Sequence, residues 1–304
     1  ATLFPYPTLF RSGANGIEIL NIVSAGSAAN AVEDIVLAQT TLKTVNISGD
    51  QNLAIDLALD NNVLTVNCAV TDDVFTGNLT ELTVGNGNVT FTGGDGDDTV
   101  IYGANYTAAD TINGGDGTDT LGLTNAVVAP ATDQTNVTNI ERLRLSDGLA
   151  AAPVLSRWGS INGATLDAGF AGGTLTFPTG TATAAVSCGA RAADNDSAAG
   201  TVVFAGVGAT DVLNLTMNDS DFTGLLTATG AETVNLISNL DLDGSAGDGG
   251  VNIIAGGVTI TPTAGSATLN ISGTEDLTIT GAVTGAATIN ATGFANVLTL
   301  TAGP

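Results

Sequence analysis

Two nine-residue stretches of the chain carry the residue types that bind a hard cation. Gly93-Gly-Asp-Gly-Asp-Asp-Thr-Val-Ile101 and Gly114-Gly-Asp-Gly-Thr-Asp-Thr-Leu-Gly122 share the pattern Gly-Gly-x-Gly-x-Asp-x-apolar-x. The glycines permit a tight turn with positive φ, which aims backbone carbonyls inward. The aspartate in position six, Asp98 or Asp119, adds a carboxylate oxygen, and the apolar residue two places on packs inside. Calcium takes about six to eight oxygen ligands, and two such turns stacked face to face supply oxygens of this kind. The expected ligand set is therefore Gly93, Asp95, Asp97, Asp98, Gly114, Asp116, Thr118 and Asp119. Asp98 and Asp119 contribute carboxylates. Asp95, Asp97, Asp116 and Thr118, at variable positions, contribute backbone carbonyls, with the acidic side chains facing solvent.

Other segments are weaker versions of the same turn. Val84-Gly-Asn-Gly-Asn-Val-Thr-Phe-Thr92 keeps the nine-residue frame but has Val89 in place of the aspartate, and reads as a degenerate first turn. Gly206-Val-Gly-Ala-Thr-Asp211 resembles a decayed one. Asp98 and Asp119 are 21 residues apart, more than two nine-residue units, so three extra residues near Tyr102–Asp110 must bulge out if the turns stack.

The elements that hold these turns are strands. Runs such as Leu277-Thr-Ile-Thr and Thr174-Leu-Thr-Phe alternate with period two, and Gly, Asn or Asp clusters separate them. Only Ala28–Gln39 offers a helical alternative, as one short helix or two strands. Internal repeats are the strongest organising signal. Thr44–Asp56 matches Thr268–Thr280 at seven of thirteen positions. A glutamate phrase occurs as Gly16-Ile-Glu-Ile-Leu, Asn139-Ile-Glu-Arg-Leu and Gly230-Ala-Glu-Thr-Val, and Gly117-Thr-Asp-Thr-Leu pairs with Ala209-Thr-Asp-Val-Leu.

The repeats divide the chain into cassettes at 13–124 (with the glycine–aspartate turns at 84–122), 125–216 and 217–304, the last read as cut short. Short strands and glycine turns fit a β-sandwich or a solenoid. Repeated phrases that stack in register favour the solenoid, with Thr and Asn forming ladders from coil to coil. The expected fold is all-β: a right-handed parallel β-solenoid, or β-roll, of repeated Thr/Gly-rich cassettes. Residues 1–12, aromatic and proline-rich unlike the rest, resemble the translation of a sequencing adapter and are set aside as a non-native N-terminal scar.

Composition narrows the functions. The 304 residues include 6 Lys+Arg, 30 Asp+Glu and no histidine, for a formal charge of −24. That charge excludes nucleic acid as a partner, because phosphate binding needs a basic face. The lack of histidine removes the commonest general base and His-based triads. No nucleophile elbow, P-loop or HExxH motif is present, so the chain reads as a non-enzyme. No apolar run is long enough to span a membrane as a helix. Hydrophobic content of 43% argues for a folded chain despite the charge. Arg142 and Arg144 alternate beside Glu141 and Asp147 as a salt-bridged exposed face, and Asp241, Asp243 and Asp248 read as a solvated loop. Cys68 and Cys188 either pair or are two small buried residues.

The nonapeptide resembles the signature of the RTX (repeat-in-toxin) family, a calcium-filled parallel β-roll. The wider chain is similar to RTX-type bacterial surface-layer proteins, through phrases such as Asn139-Ile-Glu-Arg-Leu and Ala287-Thr-Ile-Asn-Ala. The resemblance implies export from a Gram-negative cell by a one-step (type I) secretion route and an extracellular or cell-surface location. It further implies folding driven by outside calcium, and a structural role with self-association into a lattice. RTX rolls of the toxin type carry many consecutive nonapeptides and this chain two good ones, so calcium is expected to act locally, through roughly one to three ions. The alternatives are an adhesin module that binds cell-surface polysaccharide, and a polysaccharide-acting β-helix enzyme.

Overall fold

The structure, a computed structural model, describes residues 10–11, 18–37, 43–59, 65–70, 75–78, 89–129, 134–158, 160–189, 198–204, 208–218, 220–239 and 251–301. It is a parallel β-solenoid. Strands pair in parallel with strands of the coil before and the coil after. Helix among the described residues is confined to one α-turn, Asn125–Val128, and a 3-10 turn, Leu155–Trp158. The chain forms two compact units: Ala1–Val127 with Thr132–Leu143 and Arg157–Ser160, and Val128–Ala131 with Arg144–Ser156 and Ile161–Pro304.

In the first unit successive strands go alternately to two sheets. One holds Ile19–Ser24, Thr44–Gly49, Thr65–Val70, Thr90–Thr92, Thr111–Asn113 and Val137–Thr138. The other holds Phe10–Arg11, Asn30–Leu37, Leu53–Leu59, Phe75–Asn78, Thr99–Gly103 and Thr120–Leu123. Period-two patterning is the reason: Val45 and Ile47 are buried while Thr44, Asn46 and Ser48 between them are half-buried on the outer face. Side-chain amides then meet coil to coil. Asn46 Nδ2 donates to Asn21 Oδ1 at 2.9 Å and Asn67 Nδ2 to Asn46 Oδ1 at 3.0 Å. These are the ladders the repeats predict.

Two details of this unit differ from the sequence reading. Ala28–Gln39 contributes one strand, Asn30–Leu37, in place of a helix or two strands. Its run of β-branched residues favours extended backbone, and it pairs with Leu53–Leu59 around a bulge between Val32 and Ile35. Phe10–Arg11, inside the segment set aside as non-native, also forms a short strand, aligned with Ile35–Val36.

The second unit has three sheets. The longest contains Gly163–Leu166, Thr183–Cys188, Val212–Asn218, Thr233–Asn239, Ala267–Gly273 and Ala286–Asn290. A second contains Thr174–Phe177, Gly200–Phe204, Leu226–Thr229, Val258–Thr261 and Val283–Thr284; the third contains Val251–Ile254, Asp276–Ile279 and Leu298–Leu300. Here the asparagine ladder runs Asn214, Asn235, Asn270, Asn290.

The repeated phrase Asn-Ile-Ser-Gly has a steric origin common to both units. Gly49 and Gly273 have φ of 137° and 130°, and each lies against the carbonyl of a fully buried serine one coil earlier, Ser24 or Ser238, where a side chain would collide. The core of the first unit includes Phe91, Tyr102, Tyr106 and Trp158. That of the second pairs Phe170 with Phe222 and Phe177 with Phe204. Burying each such ring stabilises its unit by roughly 1.5–3 kcal/mol.

Candidate functional site

The two glycine–aspartate turns stack as the pattern predicts. Gly93 N–H donates to Asn113 O at 2.8 Å, Asp116 N–H to Gly94 O at 3.1 Å, and Thr120 N–H to Asp98 O at 2.7 Å. Gly96 and Gly117, the fourth residue of each turn, have φ of 98° and 126°, a region that costs other residues strain. The extra length between the turns is taken up where expected. Ile101 pairs with Gly122 and Gly103 with Leu123, so Tyr102 steps out of register, and the following loop is closed by Asp110. The Asp110 carboxylate is buried and accepts the N–H groups of Val89 and Thr107 at 2.8 and 2.7 Å.

All eight candidate residues belong to this one stack. Val100 and Leu121 are buried beneath it, and Asp95, Asp97 and Asp116 are exposed. Asp97 has a further task that its variable position does not predict: its Oδ1 accepts Thr118 N–H at 2.8 Å, across the two turns.

Asp98 and Asp119 are 2% and 1% exposed. Asp98 Oδ2 folds back on its own turn and accepts Gly94 N–H at 2.9 Å. Asp119 Oδ1 reaches to the preceding turn and accepts Asp98 N–H at 2.8 Å. Asp119 Oδ2 is buried without any hydrogen-bond partner. Burial pushes the Asp119 carboxyl up to about 7; the Asp98 N–H opposes this, and the neighbouring Asp98, Glu141 and Asp97 carboxylates add to it. An unpaired buried carboxylate oxygen is costly, so this one calls for a proton or a cation.

Position one of each turn is glycine because backbone oxygen crowds it. A side chain at Gly93 would strike Gly114 O and Asp98 Oδ2; one at Gly114 would strike Asn139 O and Asp119 Oδ2. The polar atoms that crowd these two positions are oxygens, the ligand chemistry of a hard cation. Among the described residues no group of three or more His, Cys, Asp or Glu side chains converges to hold a metal. A cation here would therefore draw on backbone carbonyls as well, as the glycine-rich turn leads one to expect.

One functional residue escaped the sequence reading. Glu141, read there as part of a recurrent phrase and a salt-bridged face, accepts Asp119 N–H through Oε2 at 2.9 Å. The second unit repeats the device: Glu232 Oε2 accepts Asp211 N–H at 2.9 Å. The two recurrent phrases, Thr-Asp and x-x-Glu, are thus the two halves of one coil-to-coil contact. Their separations of 22 and 21 residues were the available signal. Glu232 Oε1 also accepts the N–H groups of Thr263 and Ala264, at 2.8 and 3.0 Å. Burial works to raise the Glu232 carboxyl, but the Ala264, Asp211 and Thr263 N–H groups outweigh it and hold the group below the usual glutamate range.

The remaining candidates are structural. Arg144 makes a two-nitrogen ion pair with Asp167 of the following coil, its shortest contact 2.7 Å. Cys188 is a free, buried thiol pushed up to about 12 by burial. The side chain of Cys68 lies outside those described, as do Val84–Asn88 of the degenerate turn, Gly206–Val207 of the decayed one, and Asp241, Asp243 and Asp248.

Fold and site together define an all-β parallel solenoid in which two stacked glycine–aspartate turns each hold a buried carboxylate, Asp98 and Asp119. No family model, no curated protein and no solved structure matches the chain. No helix among the described residues is long and apolar enough to cross a membrane.

Proposed function

We propose that the chain is a structural segment of a secreted, calcium-binding surface-layer or RTX-type matrix protein, in which calcium orders the glycine–aspartate turns after export. The observation that carries this reading is Asp119 Oδ2, a buried carboxylate oxygen with no hydrogen-bond donor inside two stacked turns of the RTX pattern. A divalent cation, when bound, supplies the positive charge that the stack lacks.

The residues that would hold it are Asp98 and Asp119 through carboxylates, with carbonyls of Gly93, Asp95, Asp97, Gly114, Asp116 and Thr118 as candidates for the rest of the shell. Without it, Asp97, Asp98, Asp119 and Glu141 repel one another and the stack loosens, a state suited to passage out of the cell. The charge of −24 fits a calcium-rich exterior for the same reason. Partners under this reading are further copies of the same protein.

Calcium titration followed by circular dichroism tests the proposal. Melting temperature rises in millimolar calcium relative to EDTA if it is correct; the same melting curve in both sinks it.

A further inference from the structure

The second glycine–aspartate turn has no third turn of its kind above it, yet the structure provides a substitute. Glu141 and Arg142 N–H groups donate to Asp119 O, as Thr120 N–H donates to Asp98 O one coil earlier. Gly114 N–H donates to Thr138 O, as Gly93 N–H donates to Asn113 O. Asn139-Ile-Glu141 therefore lies over Gly114–Asp119 in the way Gly114–Asp119 lies over Gly93–Asp98, but with three fewer residues between its ends. The longer glutamate side chain spans what the shortened turn leaves open.

Three observations meet at that place. Asn139 has φ of 51°, the one non-glycine residue with positive φ among those described. Such backbone is sparsely populated and is retained where the surroundings over-determine it. Its carbonyl oxygen, together with Asp119 Oδ2, occupies the space a side chain at Gly114 would need. Asp119 Oδ2 is the buried oxygen without a donor, and Glu141 places a second carboxylate against the same residue, using only Oε2 for the Asp119 N–H bond.

We infer that Asn139 and Glu141 close a cation site over Asp119, with the Asn139 carbonyl and the Glu141 carboxylate as ligands from a coil that lacks the nonapeptide. This rests on the calcium reading and adds to it a ligand pair outside both motifs. Glu232 marks the contrast: its two oxygens are taken by three backbone N–H groups, so the equivalent place in the second unit is closed without a cation.

Isothermal titration of the full chain with calcium alone tests the assignment, on wild type, Glu141→Gln and Glu232→Gln. The expected result is a site weakened at least about tenfold in Glu141→Gln, with Glu232→Gln binding as the wild type does. Wild-type affinity and stoichiometry in Glu141→Gln overturn the inference and leave the calcium reading standing. A wild type that binds no calcium overturns both. Should Glu141→Gln lose its β-sheet circular dichroism, Glu141→Asp decides: it keeps the charge but withdraws the oxygens by one methylene. Weakened binding in that variant supports the assignment, and unchanged binding overturns it.

Discussion

The pairs Asp119–Glu141 and Asp211–Glu232 make the same contact with opposite electrostatics. In each, a glutamate holds the backbone N–H of an aspartate one coil earlier, at 2.9 Å. At Asp211–Glu232 every glutamate oxygen has a donor, and the carboxylate is held ionised by main-chain N–H groups alone. At Asp119–Glu141 the aspartate keeps one oxygen with no donor, and its carboxyl is pushed up to about 7. The two show that one coil-to-coil contact can be finished by the chain or left for something else to finish. The neighbouring backbone makes the difference: beside Asp119 Oδ2 lies the Asn139 carbonyl, where Glu232 meets the Thr263 and Ala264 N–H groups.

Changing the small residues beneath the two pairs probes this most severely. Gly114→Ala drives a Cβ into the Asn139 carbonyl, which belongs to backbone, whereas Gly208→Ala meets only the Asp211 side chain. Urea denaturation is expected to show a loss of about 3 kcal/mol or more for Gly114→Ala and about 1 kcal/mol for Gly208→Ala. Equal losses would mean that the first stack is no more tightly seated than the second.

Removing the glutamates comes next. Glu232→Ala strips three main-chain N–H groups of their acceptor, for an expected cost of about 2 kcal/mol, with hydrogen exchange accelerated at Asp211, Thr263 and Ala264. Glu141→Ala also relieves repulsion on Asp119 in calcium-free buffer, so its cost there is expected to be smaller, about 1 kcal/mol. A larger loss for Glu141→Ala in EDTA breaks the comparison.

The pH responses have opposite signs. Asp119 is raised above its unfolded value of about 3.9, so its contribution is complete below that pH and is lost as pH climbs through about 7. Glu232 is depressed below its unfolded value of about 4.3, so its contribution is present above that pH and is lost as pH falls through the lower folded value. Amide protection relative to the unfolded chain in EDTA is therefore expected to fall around Asp98 between about pH 4 and 7, and around Asp211 only in acid. Loss of protection at both sites at the same end of the scale would count against the assignment. The smallest effect is expected from Asp97→Ala. That exposed carboxylate holds Thr118 N–H, and the variant should stay within about 0.5 kcal/mol of wild type by thermal melting.

Much of this was legible in the residues, and what was not has a common cause. Alternation told which residues point inward, so Val45, Ile47, Val100 and Leu121 are buried as their spacing requires. The glycine–aspartate pattern placed both turns and the bulge between them. The partner of Glu141 was harder, because a contact between coils depends on the number of residues per coil, and that number varies. Thr44 aligns with Thr65, 21 residues on, but Thr233 aligns with Thr268 across a coil lengthened by an additional strand. A glutamate phrase seen three times registers in the sequence only as a repeat. Its role as a clasp emerges only once the coil beneath it has a length. Asn139 was hidden for a different reason: asparagine tolerates positive φ without demanding it, so its type alone does not announce the turn.

Three of the carboxylate contacts between coils, unlike the Asp97 bond to Thr118, share a direction. Asp119 serves Asp98, Glu141 serves Asp119, and Glu232 serves Asp211, each acceptor coming from the later coil. Each of these contacts is consequently incomplete until the chain 21 or 22 residues further on is in place. The ordering of these turns is thereby tied to the chain: each of the three is sealed only once its successor has docked.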